Sequence, residues 1–299
     1  MRLALHTISY AGVWNGQARL PLVEILDRAV TLGYEGVMLT AKRPQCSPLD
    51  LDPAGRVALR SELERRRLAV PVMAGYTDFG AGPEHPDIPL GEAQVSYVTE
   101  LARLAHDLGS GLLRIFTGFE RPGVPFSAQW QACVEAVREC ATRAAAHGVV
   151  IGIQNHHDLA VHVESALDFL RDVDHPNCRL CFDAWSAAQQ GGDLRSVARQ
   201  VAPFTVHTTV ADYARRPRFS YQPDVIGYRR EADLLRAVPM GEGFIDYEAF
   251  FAGLREGGYP EDGWVAYEMC SPLGGGGGLE NLDRHAGQFV DWMRTRGFA

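Results

Sequence analysis

The sequence predicts an α/β protein folded as a (β/α)8 TIM barrel spanning residues 1–299, and three observations carry that expectation. Eight apolar runs of strand length alternate with eight amphipathic stretches of helical period. The alternation is strict and leaves no boundary at which to divide the chain, so one domain is expected. Several runs also end in polar residues, as buried parallel strands do where their carboxyl ends open into a site.

In chain order, strands are expected to begin near Arg2, Tyr34, Ala69, Gly111, Val149, Cys178, Pro203 and Trp264. Helices are expected over Leu22–Leu32, Ala54–Arg67, Glu92–Leu108, Ser127–His147, Glu164–Val173, Asp193–Val201, Tyr247–Glu256 and Leu279–Arg296. Ser127 follows Pro125 as a helix opening, and Gly33, Gly148 and Gly258 stop amphipathic stretches ahead of the next strand. Helix-to-strand turns therefore share one end of the barrel. The polar strand ends share the other, where barrel enzymes hold their sites.

One interval is too long. From His207 to Glu268 the chain takes 61 residues, about twice its neighbours, so roughly 30 residues from Asp212 to Gly243 read as an insertion after the seventh strand. The insertion holds Arg215, Arg216, Arg218, Phe219, Tyr221, Tyr228, Arg229 and Arg230. A lid, a substrate wall, a subunit contact and a solvated basic loop all fit it. The five glycines Gly274–Gly278 read as a connection or as a flap over the site.

Composition narrows the function classes. The chain is 46% apolar and 22% charged with a formal net charge of −8, which lacks the basic footprint of nucleic-acid or anionic-membrane binding. No apolar run approaches the roughly 20 residues of a membrane span. Six cysteines lie mostly inside apolar segments with no leader ahead of the first strand, so a reducing cytoplasm is expected. Cys178 and Cys181 have metal or redox spacing, but on a strand residues three apart face opposite sides.

The candidate chemistry sits on strands five to eight. Val149 to Ile153 runs into Gln154-Asn155-His156-His157-Asp158, CFDAWS ends the sixth strand around Asp183, FTVHTTVAD carries His207, and WVAYEMCSP carries Glu268. Gln154, Asp183, His207 and Glu268 form a mixed oxygen and nitrogen set, suited to a divalent ion such as manganese, magnesium, cobalt or zinc. His6, Glu35, Lys42 and Arg114 are candidates for substrate contacts. Arg114 stands in an apolar strand, so its guanidinium needs a carboxylate, a phosphate or a substrate, or else an internal ion pair. His156 is a candidate contact to ligand or metal, with His157 and Asp158 as supporting or loop residues. Glu242, in Gly241-Glu242-Gly243, is either a polar contact in the site or the acidic member of a turn. Trp185, Phe116, Phe119 and Tyr76 lie at strand ends, where aromatic faces pack on sugars or on the rim.

At these residues the chain resembles the sugar phosphate isomerase/epimerase family of xylose isomerase-like barrels, which also takes in endonuclease IV, inosose dehydratase and ketose 3-epimerases. The resemblance runs from LALHTISY through Leu20–Glu24 and GYEGV to GWVAYEM and the last helix. It implies a glutamate, an aspartate, a histidine and a glutamate on strands five to eight around one divalent cation. Asp183, His207 and Glu268 match, and Gln154 stands where the pattern has glutamate. An amide ligates through oxygen but is no general base. The resemblance implies an isomerase or epimerase of a small sugar, keto-sugar or polyol derivative, working through a metal-stabilised enediolate. Glu268 and His156 are then the proton-transfer groups, and His6, Arg114, Trp185 and Glu242 the substrate contacts. The alternatives are a metal-dependent lyase or dehydratase, including 3-keto-glycoside cleavage, or a non-catalytic sugar-binding barrel. A homo-oligomer is expected from the resemblance as well.

Overall fold

Eight parallel strands close into a barrel: β1 (Arg2–His6), β2 (Gly36–Thr40), β3 (Ala69–Ala74), β4 (Leu112–Ile115), β5 (Val150–Gln154), β6 (Cys178–Cys181), β7 (Thr205–Val210) and β10 (Trp264–Tyr267). Around the barrel each strand pairs with its predecessor and successor, and β10 closes the ring onto β1. The computed structural model describes residues 1–82, 87–270 and 273–299. The end of the eighth apolar run, Ser271 and Pro272, lies outside them.

The outer helices are α1 (Leu22–Thr31), α2 (Pro53–Arg65), α3 (Leu90–Asp107), α4 (Phe126–Ala145), α5 (Val163–Val173), α7 (Leu194–Val201), α8 (Tyr247–Glu256) and α9 (Leu279–Thr295). All eight expected helices are present, within a few residues of their expected limits. Capping explains the starts: Asp52 accepts the Gly55 N–H at 2.7 Å and Asp246 the Ala249 N–H at 2.9 Å. Gly33, Gly148 and Gly258 adopt φ of 86°, 68° and 90° just past helix ends, a left-handed turn that costs glycine nothing.

Period-two alternation divides the strands' side chains between two cores. Leu113, Ile115, Ile151 and Ile153 face the helices, while Ala4, Met38, Val72, Leu112, Cys181 and Ala266 fill the barrel interior. Cys181 points in and Cys178 out, as a spacing of three on a strand requires. All six cysteines are free thiols. No helix among the described residues is long and apolar enough to cross a membrane.

Two elements were not anticipated. A short helix, α6 (Ala184–Gln190), starts immediately after β6 because the Asp183 side chain accepts the Trp185 N–H at 2.6 Å. The long interval after β7 is an antiparallel hairpin, β8 (Asp212–Gln222) with β9 (Gly227–Val238), rather than a loop. A two-stranded ribbon is marginal alone, and this one is clamped at its root. The Asp212 carboxylate accepts N–H groups of Tyr213, Gly241 and Gly243, each at 2.9 Å. Ala237 bridges Leu273, and its carbonyl accepts the Gly274 N–H at 2.6 Å. The glycine run is thus tied down, with a further bond from Ala18 N–H to Gly277 O at 2.9 Å. It is an anchored connection.

Candidate active site

A cavity of about 400 Å³ opens at the carboxyl end of the barrel strands. It is lined by Lys42 after β2, Tyr76 after β3, Arg114 of β4 and Phe116 just past it, Gln154 of β5 with His156 and His157 just past it, and Asp183 and Trp185 after β6. Thr209 and Val210 of β7 with Ala211 after it, Tyr213 and Leu235 of the hairpin, and Glu268 and Cys270 after β10 complete that wall, with Ile8, Val13 and Trp14 following the first strand. The insertion therefore supplies part of the wall.

On the β5–β6 side the polar groups bond to one another. Gln154 Nε2 donates to Asp183 Oδ2 at 2.9 Å, while Asp183 Oδ1 takes the Trp185 N–H. Asn155 lies behind them, its Oδ1 accepting the Asp183 N–H at 2.7 Å and its Nδ2 donating to Asp183 O at 3.0 Å. Burial raises the Asp183 carboxyl to about 7, against the lowering effect of these bonds. Gln154 Oε1 is buried without a partner.

Across the cavity, Glu268 accepts the Cys270 thiol at 2.9 Å on Oε1, and its Oε2 lies 3.8 Å from His6 Nε2. Burial raises the Glu268 carboxyl above its ordinary range, opposed by the thiol bond and by the charges of Arg114 and Lys42. His6 Nδ1 meets the Met38 carbonyl at 3.2 Å, which favours the Nδ1–H tautomer and turns the Nε2 lone pair toward Glu268. Burial also lowers His156 and His157 to about 4, helped for His156 by its neighbour His157 and by Arg114. Both imidazoles are neutral at physiological pH. His157 stacks between Phe116 and Phe119, at centroid distances of 4.2 and 4.0 Å, while His156 packs on Trp185 at 5.3 Å.

Gln154, Asp183, Glu268, His156, Arg114, Lys42 and Trp185, all expected at the site, thus share one cavity. His207, His6, Glu242 and Glu35 do not line it. His207 is fully buried inside the barrel with both ring nitrogens unpartnered, and burial drops its pKa to about 3. Thr209, on the same inward face about 6.6 Å further along β7, lines the cavity instead; it pairs with inward-facing Ala266 and its hydroxyl approaches Met38 Sδ at 3.6 Å. His6 lies beneath the floor and touches Glu268 rather than the cavity. Glu242 is an exposed turn residue, held away from the site by the clamp of Gly241 and Gly243 on Asp212. Glu35 is likewise remote, paired with Arg2 at 3.1 Å.

The side chains expected to hold a divalent ion do not fit one. Asp183 has both oxygens engaged, position 154 offers an amide, and β7 presents a hydroxyl at cavity level. Among the described residues no group of three or more histidine, cysteine, aspartate or glutamate side chains is placed to ligate a metal. Thr209, Tyr213, Cys270 and Leu235 are cavity residues that the sequence left unmarked. Only the period-two relation of Thr209 to His207 and of Cys270 to Glu268 could have pointed to any of them.

Comparison with known proteins agrees with the architecture. A family model described as the xylose isomerase-like TIM barrel matches residues 26–296. A 3-dehydroshikimate dehydratase of Bacillus anthracis is 23% identical over 263 residues, covering 86% of this chain and 88% of the relative. The crystal structure of a D-psicose 3-epimerase with D-tagatose from Clostridium cellulolyticum H10 superposes with a TM-score of 0.76 at 17% identity, over 99% of each chain. The IolI protein, solved with a bound zinc atom, gives 0.76 at 16% identity, again over 99% of both chains.

Proposed function

The chain belongs to the family of xylose isomerase-like TIM barrels, and from that premise we propose that it is a proton-transferring lyase of the dehydratase type, acting on a small hydroxylated carbonyl compound. One observation carries the reading. Of the two carboxyl groups lining the cavity among the described residues, Asp183 has both oxygens bonded internally, and only Glu268 keeps an oxygen free to take a substrate proton.

Glu268 Oε2 removes the proton on the carbon next to the carbonyl, and the electron pair of the broken C–H bond moves onto the carbonyl oxygen. The positive field of Lys42 and Arg114, in the same cavity, lowers the cost of the resulting enolate charge. As the carbonyl reforms, a β-hydroxyl leaves, taking the proton back from Glu268, and departs as water. Buried His6 behind Oε2 presents a lone pair to the protonated carboxyl and steadies it between the two transfers. Neutral His156 holds a substrate hydroxyl by hydrogen bonding. Every step is assigned to the protein's own side chains, since among the described residues an amide at position 154 and a hydroxyl at Thr209 stand where ionisable metal ligands would be needed.

The choice of elimination over epimerisation rests on the opposite wall. Inverting a carbon centre requires a second acid on the other face, and the amide of Gln154 cannot serve. Similarity to a dehydratase points the same way. Isomerisation shares the first step and differs in returning the proton to the neighbouring carbon. The test is NMR in deuterium oxide with a panel of hydroxylated ketones, keto acids and keto-sugars. Loss of water to an unsaturated product, abolished by Glu268→Gln, is expected. Deuterium entering recovered substrate or an isomer without elimination would replace the lyase with an isomerase, and no exchange with any compound would mean a barrel that binds without catalysis.

A further inference from the structure

The guanidinium of Arg114 is a buried charge with no carboxylate bonded to it among the described residues. It is 2% solvent-exposed, and Nη1 donates to the Gly75 carbonyl at 2.9 Å while Nε has no partner. Its planar face lies over the Phe116 ring at 4.2 Å and the Tyr76 ring at 4.9 Å. Lys42 sits on the same Tyr76 ring, Nζ 3.7 Å from the centroid, and likewise has no ion-pair partner among the described residues.

A buried cation without a counter-charge is strongly disfavoured unless a ligand completes it. Aromatic faces soften the cost but supply no hydrogen-bond acceptor. Two cations against one ring at the wall of a small cavity, with a guanidinium N–H left free, are what recognition of a carboxylate or phosphate needs. Neither cavity carboxyl pairs with the two cations: Asp183 is bonded to Gln154 and to the Trp185 N–H, and Glu268, although it feels both charges, bonds Cys270 and stands beside His6.

We propose that Arg114 and Lys42, both against the Tyr76 ring, form an anion subsite, so that the substrate carries a carboxylate or phosphate and is not a neutral sugar. This rests on the lyase reading for the position of the reacting carbon, near Glu268, but its test is separate. The subsite draws a charged substituent to the β2–β4 side of the cavity and leaves the hydroxylated carbon chain facing β10.

The experiment is calorimetry and thermal denaturation at low ionic strength with D-gluconate, D-glucose 6-phosphate and D-glucose, on wild type, Arg114→Gln and Lys42→Gln. At least one anionic probe is expected to bind wild type roughly tenfold or more tightly than glucose, with that preference erased in Arg114→Gln and reduced in Lys42→Gln. Which anion binds decides between carboxylate and phosphate. Without ligand, Arg114→Gln should melt no lower than wild type, because it removes an unpaired buried charge. A clear drop in its melting temperature, equal binding of glucose, or the absence of Arg114-dependent binding by either anion would overturn the subsite. Anion binding with no proton exchange from any substrate would leave the subsite standing and remove the lyase; exchange on neutral sugars alone would do the reverse.

Discussion

On the wall built by β5 and β6, both Asp183 oxygens are held, by the Gln154 amide and the Trp185 N–H, and Asn155 is bonded twice to the Asp183 backbone, so that Gln154 Oε1 alone of these three side chains is left without a partner. On the wall built by β2, β4 and β10, Arg114, Lys42 and Glu268 keep atoms that the protein does not satisfy. Both walls stand at the same end of one barrel and both are polar. Satisfied polar groups shape and stiffen a site, whereas unsatisfied ones hold the free energy that a ligand can release.

The largest expected effect breaks the unsatisfied wall. Glu268→Gln should lower turnover by about a hundredfold to ten-thousandfold, the range general-base catalysis provides, with substrate binding largely kept; steady-state kinetics on the product identified by NMR would show it. A second experiment rebuilds the satisfied wall. Gln154→Glu combined with Thr209→His places two ionisable ligands at cavity level beside Asp183, so elemental analysis after manganese or zinc incubation should find near-stoichiometric metal in the variant and much less in wild type. Equal loading of both proteins would show that the internal bonding of Asp183 does not keep metal out.

Asp183 itself gives a smaller effect with a defined sign. A carboxyl raised to about 7 in the folded state contributes stability that is fully present below its unfolded pKa and lost as pH rises from about 4 through 7. Asp183→Asn removes that dependence, so the variant should gain melting temperature relative to wild type at pH 8 compared with pH 5, by the equivalent of a few kcal/mol at most. A constant difference between the two pH values would place the carboxyl in its ordinary range. The smallest effect concerns Cys270, whose thiol bond lowers the Glu268 carboxyl against the pull of burial. In Cys270→Ala the acid limb of the rate profile should move to higher pH.

The barrel was legible because its strands are buried on both faces and its helices on one, so each leaves its own period in the sequence. The active face was legible for the same reason: Gln154, Asp183 and Glu268 interrupt apolar runs at their ends. Depth was not. His207 and Thr209 share the inward side of β7, and which of them reaches the cavity depends on how the strands stagger around the barrel. Helix α6 was hidden because Asp183 looks like a strand end and acts as a helix cap. The hairpin was hidden because β8 and β9 are exposed on most of their residues, which dilutes the apolar alternation that marks a half-buried strand. Glu242 misled by proximity alone, since only the clamp on Asp212 decides where its turn points.

Trp185 has its indole N–H buried without a partner in the cavity wall, against His156 at 5.3 Å and Tyr213 at 5.7 Å. An indole so placed is a built-in optical probe. A ligand that enters the cavity changes the polarity around the ring and offers its N–H an acceptor, so the emission of this one tryptophan should shift on binding. Trp185→Phe should silence the change while the other four tryptophans continue to emit, giving a direct titration of occupancy before any product is known.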